Sequence, residues 1–261
     1  MKKVLTVILA LVIAGSMLMV ACDQGKEAAD KTMLLAAAAS LENSFKTELI
    51  PLFESKNANS KVEGTYDSSG KLQTQIEEGM EASVFMSAAP KQMDALVDQG
   101  LIDRADVVEL LENQLVLITG VESGSSVSSF EEILDARTFA IGDPASVPVG
   151  QYAEEVYSNL GIWEDVLAKA SLATNVTEVL NQVAEGSAEV GIVYATDAAQ
   201  MPDKVKVISA APEGSMKKVI YPVAVLKNAP ERELGEKFVE FLQTDEALKI
   251  FEANCFKRNQ P

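Results

Sequence analysis

The sequence predicts an α/β fold in two lobes, each a mainly parallel sheet flanked by helices, with the chain crossing between lobes twice. Three observations carry this. From residue 32 to 100, short apolar runs alternate with segments of helical spacing in the order β-α-β-α-β-α. A second set of such pairs follows between 113 and 198. The long apolar run around Tyr221 and Pro222 then offers a strand that returns to the first lobe. Lobe 1 is therefore expected over 32–113 plus 223–261 and lobe 2 over 114–222. The cleft between them, at strand carboxyl ends, is where such folds place ligands.

Each element has its own signal. "TMLLAAAA" (32–39) reads as a buried strand, and Leu41, Phe45, Leu49, Leu52 and Phe53 then recur at helical spacing, with Pro51 kinking the last turn. "SKVEGTYDSS" (60–69) holds a second strand. "SGKLQTQIEEG" is a helix with Leu72 and Ile76 on one face and Gly79 as its stop. "ASVFMSAAP" (82–90) is a third strand, followed by the helix "KQMDALVDQG". "NQLVLITG" (113–120) is a strand leaving lobe 1, "SSFEEILD" a short helix, and "TFAIGDP" (138–144) strand then turn. Helices follow over 150–161, closed by Gly161, and over 175–188, with the strand "EVGIVYATDA" (189–198) after them. The chain ends in helices carrying Phe238, Phe241, Leu242, Leu248 and Phe251.

The composition narrows the function. The chain has 261 residues, is 48% hydrophobic and carries a formal charge of −17. That size suits one large or two modest globular domains, and the charge argues against nucleic acid, which needs a basic stripe. It argues less against a small anion, because local dipoles rule a buried site. Histidine is absent. The Ser-His-Asp and Cys-His arrangements are thereby excluded, and the commonest metal ligand and general base are missing.

The first residues read as an export signal (1–21): Lys2 and Lys3, then the apolar "VLTVILALVIAGSMLMVA". "LMVAC" resembles a bacterial lipobox, with Met19 where leucine is usual. The resemblance implies lipid on Cys22 and a polar tether over 22–31. With Cys22 lipidated, Cys255 is expected to be unpaired and half-buried; a disulfide between the two is the alternative. Asp23 resembles an inner-membrane retention signal, meaningful where a cell has two membranes.

Four turns are candidates for chemistry. Ser40, directly before a helical run, is expected as an N-cap, and a helix N-terminus among small residues also suits an anion. "YDSSGKL" (66–72) is a second serine-led strand-to-helix turn. It is not a phosphate-binding P-loop, because five residues separate Gly64 from Gly70 and Leu72 stands where Ser or Thr would bind magnesium. "GDPASVPVGQYA" (142–153) is a rigid turn into a helix. "TNVTEVL" offers Asn175 as N-cap, and "GIVYATDA" leaves Tyr194 at a strand end. Each turn taken singly reads equally well as ordinary capping or connection.

Together, "AAAASL", "SSGKLQTQIEEG", "VFMSA", "IGDPASVPVGQYAEE", "LGIW" and "GIVYATDA", in this order over 32–258, resemble the molybdate-binding proteins of bacterial ABC importers. The resemblance implies a type II periplasmic binding protein that holds molybdate or tungstate by hydrogen bonds alone. Carried over position by position, the ligands are Ser40, Ser69, Val149, Val176 and Tyr194. The serines give hydroxyl and backbone N–H, the two valines backbone N–H, and Tyr194 its hydroxyl. Val149 replaces a common alanine, Ser83 replaces the aspartate of a "DxF" strand, and Gly70 replaces a serine, implying a slightly wider pocket.

A tetrahedral dianion needs no proton shuttle, so the missing histidine is no obstacle. Neutral donors select by size: sulfate is smaller and makes longer bonds, whereas tungstate is nearly the size of molybdate. The resemblance further implies lobe closure on the anion, a membrane permease as partner, no cofactor, a monomer, and a lipid-anchored, extracytoplasmic place at the membrane. The nearest alternative is the same fold holding sulfate or phosphate. A more distant one is an extracytoplasmic enzyme using Asp67, Asp143 or Asp197.

Overall fold

Two mixed sheets, each covered by helices, organise residues 31–260, the part of the chain described by the computed structural model. The export signal, Cys22 and nearly all of the tether lie outside those residues; Lys31 already belongs to the first strand.

The first sheet contains β1 (Lys31–Ala38), β2 (Ser60–Asp67), β3 (Val84–Met86), β4 (Val108–Asn113), β10 (Val219–Val225) and β11 (Lys257–Arg258), in the order β11-β4-β10-β3-β1-β2. β1 pairs in parallel with β2 and β3, whereas β10 is antiparallel to β3 and β4. The second contains β5 (Leu115–Gly120), β6 (Phe139–Gly142), β7 (Ser171–Ala173), β8 (Val190–Tyr194) and β9 (Val205–Ala210), in the order β7-β6-β8-β5-β9. The chain crosses between sheets at Gln114 and again between β9 and β10. All of β10 belongs to the first sheet, so the return comes by Val219, ahead of the expected division at 222/223.

β1 shows why the alanines are there. As an inner strand it is covered on both faces, and its second half is wholly buried. Ala36 packs with Leu72, Ile76, Phe85, Met93 and Leu96 on one side. Leu35 and Ala37 join the other side, where Phe45, Phe53, Phe238, Phe241 and Phe251 gather. Phe53 and Phe238 meet edge to face with centroids 4.9 Å apart.

α1 (39–56) is irregular throughout: a 3₁₀ turn at Ala39–Leu41, a regular turn, a π turn at Phe45–Leu49, then α-helix from Ile50. Pro51 explains the widening. It has no N–H for the i−4 carbonyl and its ring crowds the preceding turn, so the Ile50 N–H reaches back to Phe45 O.

The helices that position the site are α2 (Ser69–Glu77), α3 (Pro90–Asp98), α4 (Pro148–Asn159), α5 (Trp163–Lys169), α6 (Val176–Ala184) and α7 (Ala195–Ala198); α8 (Arg232–Leu242) and α9 (Asp245–Ala253) close the chain. α4 begins at Pro148, whose missing N–H costs a first helical position nothing. Its Gly150 lies against the strand before it: a Cβ there would sit 2.0 Å from Gly142 O.

Among the described residues Cys255 has no disulfide partner. It is exposed, with φ 67°, not half-buried as expected, because it sits in the left-handed turn that ends α9.

Candidate functional site

The starts of α1, α2, α4 and α6 and the end of β8 converge on one small cavity between the sheets. It is lined by Ser40, Ser69, Val149, Val176 and Tyr194, the five residues carried over by resemblance, together with neighbours including Asp67, Ser68 and Ala88. Its volume is about 10 Å³, room for one water-sized sphere and far below the roughly 300–1,000 Å³ of pockets built for organic ligands. A larger open groove of about 1000 Å³ runs between α3 and α4, with Lys91, Asp94, Glu154 and Lys217 on its walls. Its charges are mixed and Tyr152 is the one buried hydroxyl on its walls, so the smaller cavity, where several buried donors converge, is the better candidate.

The donors are set by local chemistry. Ser68 caps α2, its hydroxyl accepting the Lys71 N–H at 3.4 Å. That leaves Ser69, the first helical residue, pointing inward and fully buried, with Oγ accepting the Ala88 N–H at 3.0 Å. Its hydroxyl hydrogen is therefore available to a ligand. Asn175 caps α6 through the Glu178 N–H at 3.0 Å, so Val176 is the first helical residue. The N–H groups of Ser69, Val149 and Val176 lie in first turns and have no acceptor within their helices. Three helix dipoles thus present their positive ends to one small volume.

Ser40 does not cap a helix. It lies inside the first 3₁₀ turn, and no side-chain cap is made there. Its hydroxyl bonds instead to the phenol of Tyr221 at 2.8 Å. Asn113 Nδ2 donates to the same phenol at 3.2 Å and to Thr196 Oγ1 at 3.0 Å. Tyr221 and Asn113 were invisible as site residues in sequence. The available signal was a tyrosine in an apolar strand beside Pro222. That proline forces a register shift between Tyr221 and Pro222 in an inner strand.

Tyr194 is 1% exposed and lines the cavity, yet among the described residues its hydroxyl makes no hydrogen bond of full geometry, the Tyr221 phenol lying close to it. Buried tyrosine hydroxyls are ordinarily paired, so this one is a donor awaiting an acceptor. Burial holds the phenols of Tyr194 and Tyr221 well above the ordinary tyrosine range, and both are neutral donors at physiological pH. Behind them Asp197 accepts the Tyr194 N–H at 3.1 Å. Burial pushes its carboxyl up to about 7, opposed by backbone hydrogen bonds from Tyr194 and from its own N–H.

The lobes meet around the cavity. The Gly70 N–H donates to Ser146 O at 2.9 Å, Asn175 Nδ2 to Asp67 Oδ1 at 3.3 Å, and Gln92 Nε2 to Gln151 Oε1 at 3.1 Å. Gly70 does not widen the cavity, as its place in the resemblance had implied. It is absent from the lining, and it lets the Ser146 backbone approach where a Cβ would lie 2.3 Å from Ser146 O. At Ser83, the other departure, the hydroxyl is buried without a partner, while the backbone bonds to Leu34 and Leu226.

The three candidate carboxylates have local employment. Asp67 accepts from Ser68 N and Lys71 Nζ, and Asp143 from Ala145 N within its turn. Asp197 serves Tyr194. Among the described residues no group of three or more His, Cys, Asp or Glu is placed to hold a metal ion.

A family model described as bacterial extracellular solute-binding protein matches residues 33–257. A protein of Bacillus subtilis (strain 168), YvgL, provisionally named an ABC transporter substrate-binding lipoprotein, is 33% identical over 92% of this chain and 93% of its own. The molybdate-binding protein ModA of Escherichia coli (strain K12) is 34% identical over 95% and 94%. Among solved structures, the periplasmic molybdate-binding protein of Azotobacter vinelandii superposes with a TM-score of 0.76 at 22% identity, covering 87% of this chain and 100% of that one. This last likeness is one of fold: two lobes of the type II periplasmic-binding architecture.

Proposed function

The chain belongs to the bacterial extracellular solute-binding proteins, and from that premise we propose that it captures molybdate, and tungstate equally, for an ABC importer. Ser40, Ser69 and Tyr194 supply hydroxyl donors, and Ser69, Val149 and Val176 supply backbone N–H groups, with no resident cofactor or metal. The unpartnered, buried Tyr194 hydroxyl facing a cavity of converging helix N-termini carries the reading. Relatives that bear the name molybdate-binding protein, aligned along nearly the whole chain, support the choice of anion.

The mechanism follows from the donors. A tetrahedral dianion accepts hydrogen bonds on every oxygen, and charge-assisted bonds are roughly twice as strong as neutral ones. Supplying them from neutral groups avoids burying a cation beside an unfilled site. Because the donors sit on both lobes, binding draws the lobes together, and the closed form is what a membrane permease would recognise. Lipid on Cys22 would hold the receptor at the outer side of the cytoplasmic membrane, monomeric and within reach of that permease.

Calorimetric titration with molybdate, tungstate, sulfate and phosphate tests this. Molybdate and tungstate are expected to bind alike and far more tightly than the smaller anions. Tight binding of sulfate or phosphate with none of molybdate would overturn the assignment of substrate.

A further inference from the structure

We propose that Asn113 and Tyr221 fix the direction of the Ser40 hydroxyl, so that this serine offers the anion only its hydrogen, never a lone pair. The proposal rests on the reading of Ser40 as an anion ligand, and it adds two positioning residues from strands of the first sheet.

Counting hydrogens gives the direction. Asn113 Oδ1 accepts the Gln114 N–H at 2.8 Å, which fixes which end of the side-chain amide is the oxygen. Both Nδ2 hydrogens are then committed, one to Thr196 Oγ1 and one to Tyr221 Oη. Tyr221 Oη is thus an acceptor toward Asn113, and its own single hydrogen has to go elsewhere. The Tyr194 phenol, which also lies against Tyr221, acts toward it as a donor, so the acceptor left for that hydrogen is Ser40 Oγ, at 2.8 Å. Tyr221 therefore donates to Ser40. With its oxygen accepting from Tyr221, Ser40 turns its hydrogen toward the cavity it lines.

The arrangement is a one-way chain, Asn113 to Tyr221 to Ser40 to ligand, in which each bond polarises the next. A side bond from Asn113 also ties it to the second lobe. Asn113 ends β4 in the first sheet and Tyr221 lies on β10 of that sheet, while Thr196 lies on α7 beyond the second. An oxyanion carrying a proton needs an acceptor, and this chain leaves none at Ser40. At this position the site would thereby favour a deprotonated oxygen over a protonated one, whatever the Asp67 carboxylate in the lining accepts.

Asn113→Asp is nearly isosteric and reverses the chain. A carboxylate accepts from Tyr221 and Thr196, so Tyr221 has to accept from Ser40, which then turns a lone pair on the anion. Molybdate affinity is expected to fall on the order of 100-fold, the scale of a lost hydrogen bond to a charged group. The new negative charge alone would also weaken binding, and Tyr221→Phe separates the two effects. That variant cuts the relay and should itself cost about tenfold. In its background Asn113→Asp should lose most of its further effect, as a double-mutant cycle reads directly.

An equal loss from Asn113→Asp in both backgrounds would overturn the proposal, as would a wild-type affinity in Asn113→Asp. If thermal melting shows that the aspartate variant does not fold, Asn113→Leu removes the donor without charge. About a tenfold loss is then expected, and unchanged affinity would refute the relay. Wild-type protein that ignored molybdate would count against the substrate assignment instead. The same cycle would then be read with whichever deprotonated oxyanion binds.

Discussion

Gly70→Ala should weaken anion binding without touching the anion. The added Cβ would lie 2.3 Å from Ser146 O, 2.7 Å from its Cα and 2.9 Å from its carbonyl carbon. Carbon–oxygen contacts settle at roughly 3.3–3.6 Å, so the two segments have to part by about 1 Å. Neither side yields readily. Gly70 is in the first turn of α2, and the Ser146 turn is tied down by Ser146 N and Val147 N to Asp143 O and by Ala145 N to Asp143 Oδ1. The strain therefore falls on the lobe–lobe contact. Overpacking costs about 1–3 kcal/mol and loss of the Gly70–Ser146 hydrogen bond about 1 kcal/mol. Together the closed form loses about 2–4 kcal/mol, or roughly 30- to 1,000-fold in affinity. The ligand-free open form should melt no lower, since alanine is the better helix former by ~1 kcal/mol. Calorimetry with molybdate and thermal melting without it read the two effects apart. Unchanged affinity would show that the lobes do not meet at Gly70 when the anion is held. A fall in ligand-free melting temperature would place the damage in the fold instead.

Further outcomes follow from the same geometry. Ser69→Ala removes a ligand donor and leaves the buried Ala88 N–H without its acceptor; molybdate affinity should fall by ~2–3 kcal/mol, measured by calorimetry, with the fold retained by circular dichroism. Asp197 gives a pH signature. Its folded carboxyl is raised to about 7, so the folded state binds the extra proton, and stability from this group is lost as pH rises from about 4 to 7, by up to about 1.4 kcal/mol per unit. Urea melts across that range should show Asp197→Asn losing this component relative to wild type. Parallel pH curves for the two proteins would refute it.

The parts of the site legible in sequence were those whose chemistry is local. Asn175 and the pair Ser68-Ser69 declare helix starts because a cap and its N–H acceptor lie three residues apart. Ser40 looked the same and is not, because its partner Tyr221 stands 181 residues away. No local pattern encodes that bond. Gly70 was misread for a similar reason: what it makes room for, Ser146, belongs to the other lobe. The missed elements have weak or short patterns. β4 runs into β5 with one residue between them, so the strand read over "NQLVLITG" (113–120) hid the separate strand "VELLEN" before it. β9 is half-exposed at a sheet edge, and β7 and β11 are too short to show a period. The expectation of mainly parallel sheets came from the first βαβ units, whereas the antiparallel β10 returns from the other lobe.

A crystal of the protein grown with molybdate and measured at the molybdenum absorption edge tests the proposed site head on. One strong anomalous peak is expected between the lobes, within hydrogen-bond reach of Ser40 Oγ, Ser69 Oγ and Tyr194 Oη. A peak in the open groove between α3 and α4, or no ordered peak with the lobes closed, would contradict it.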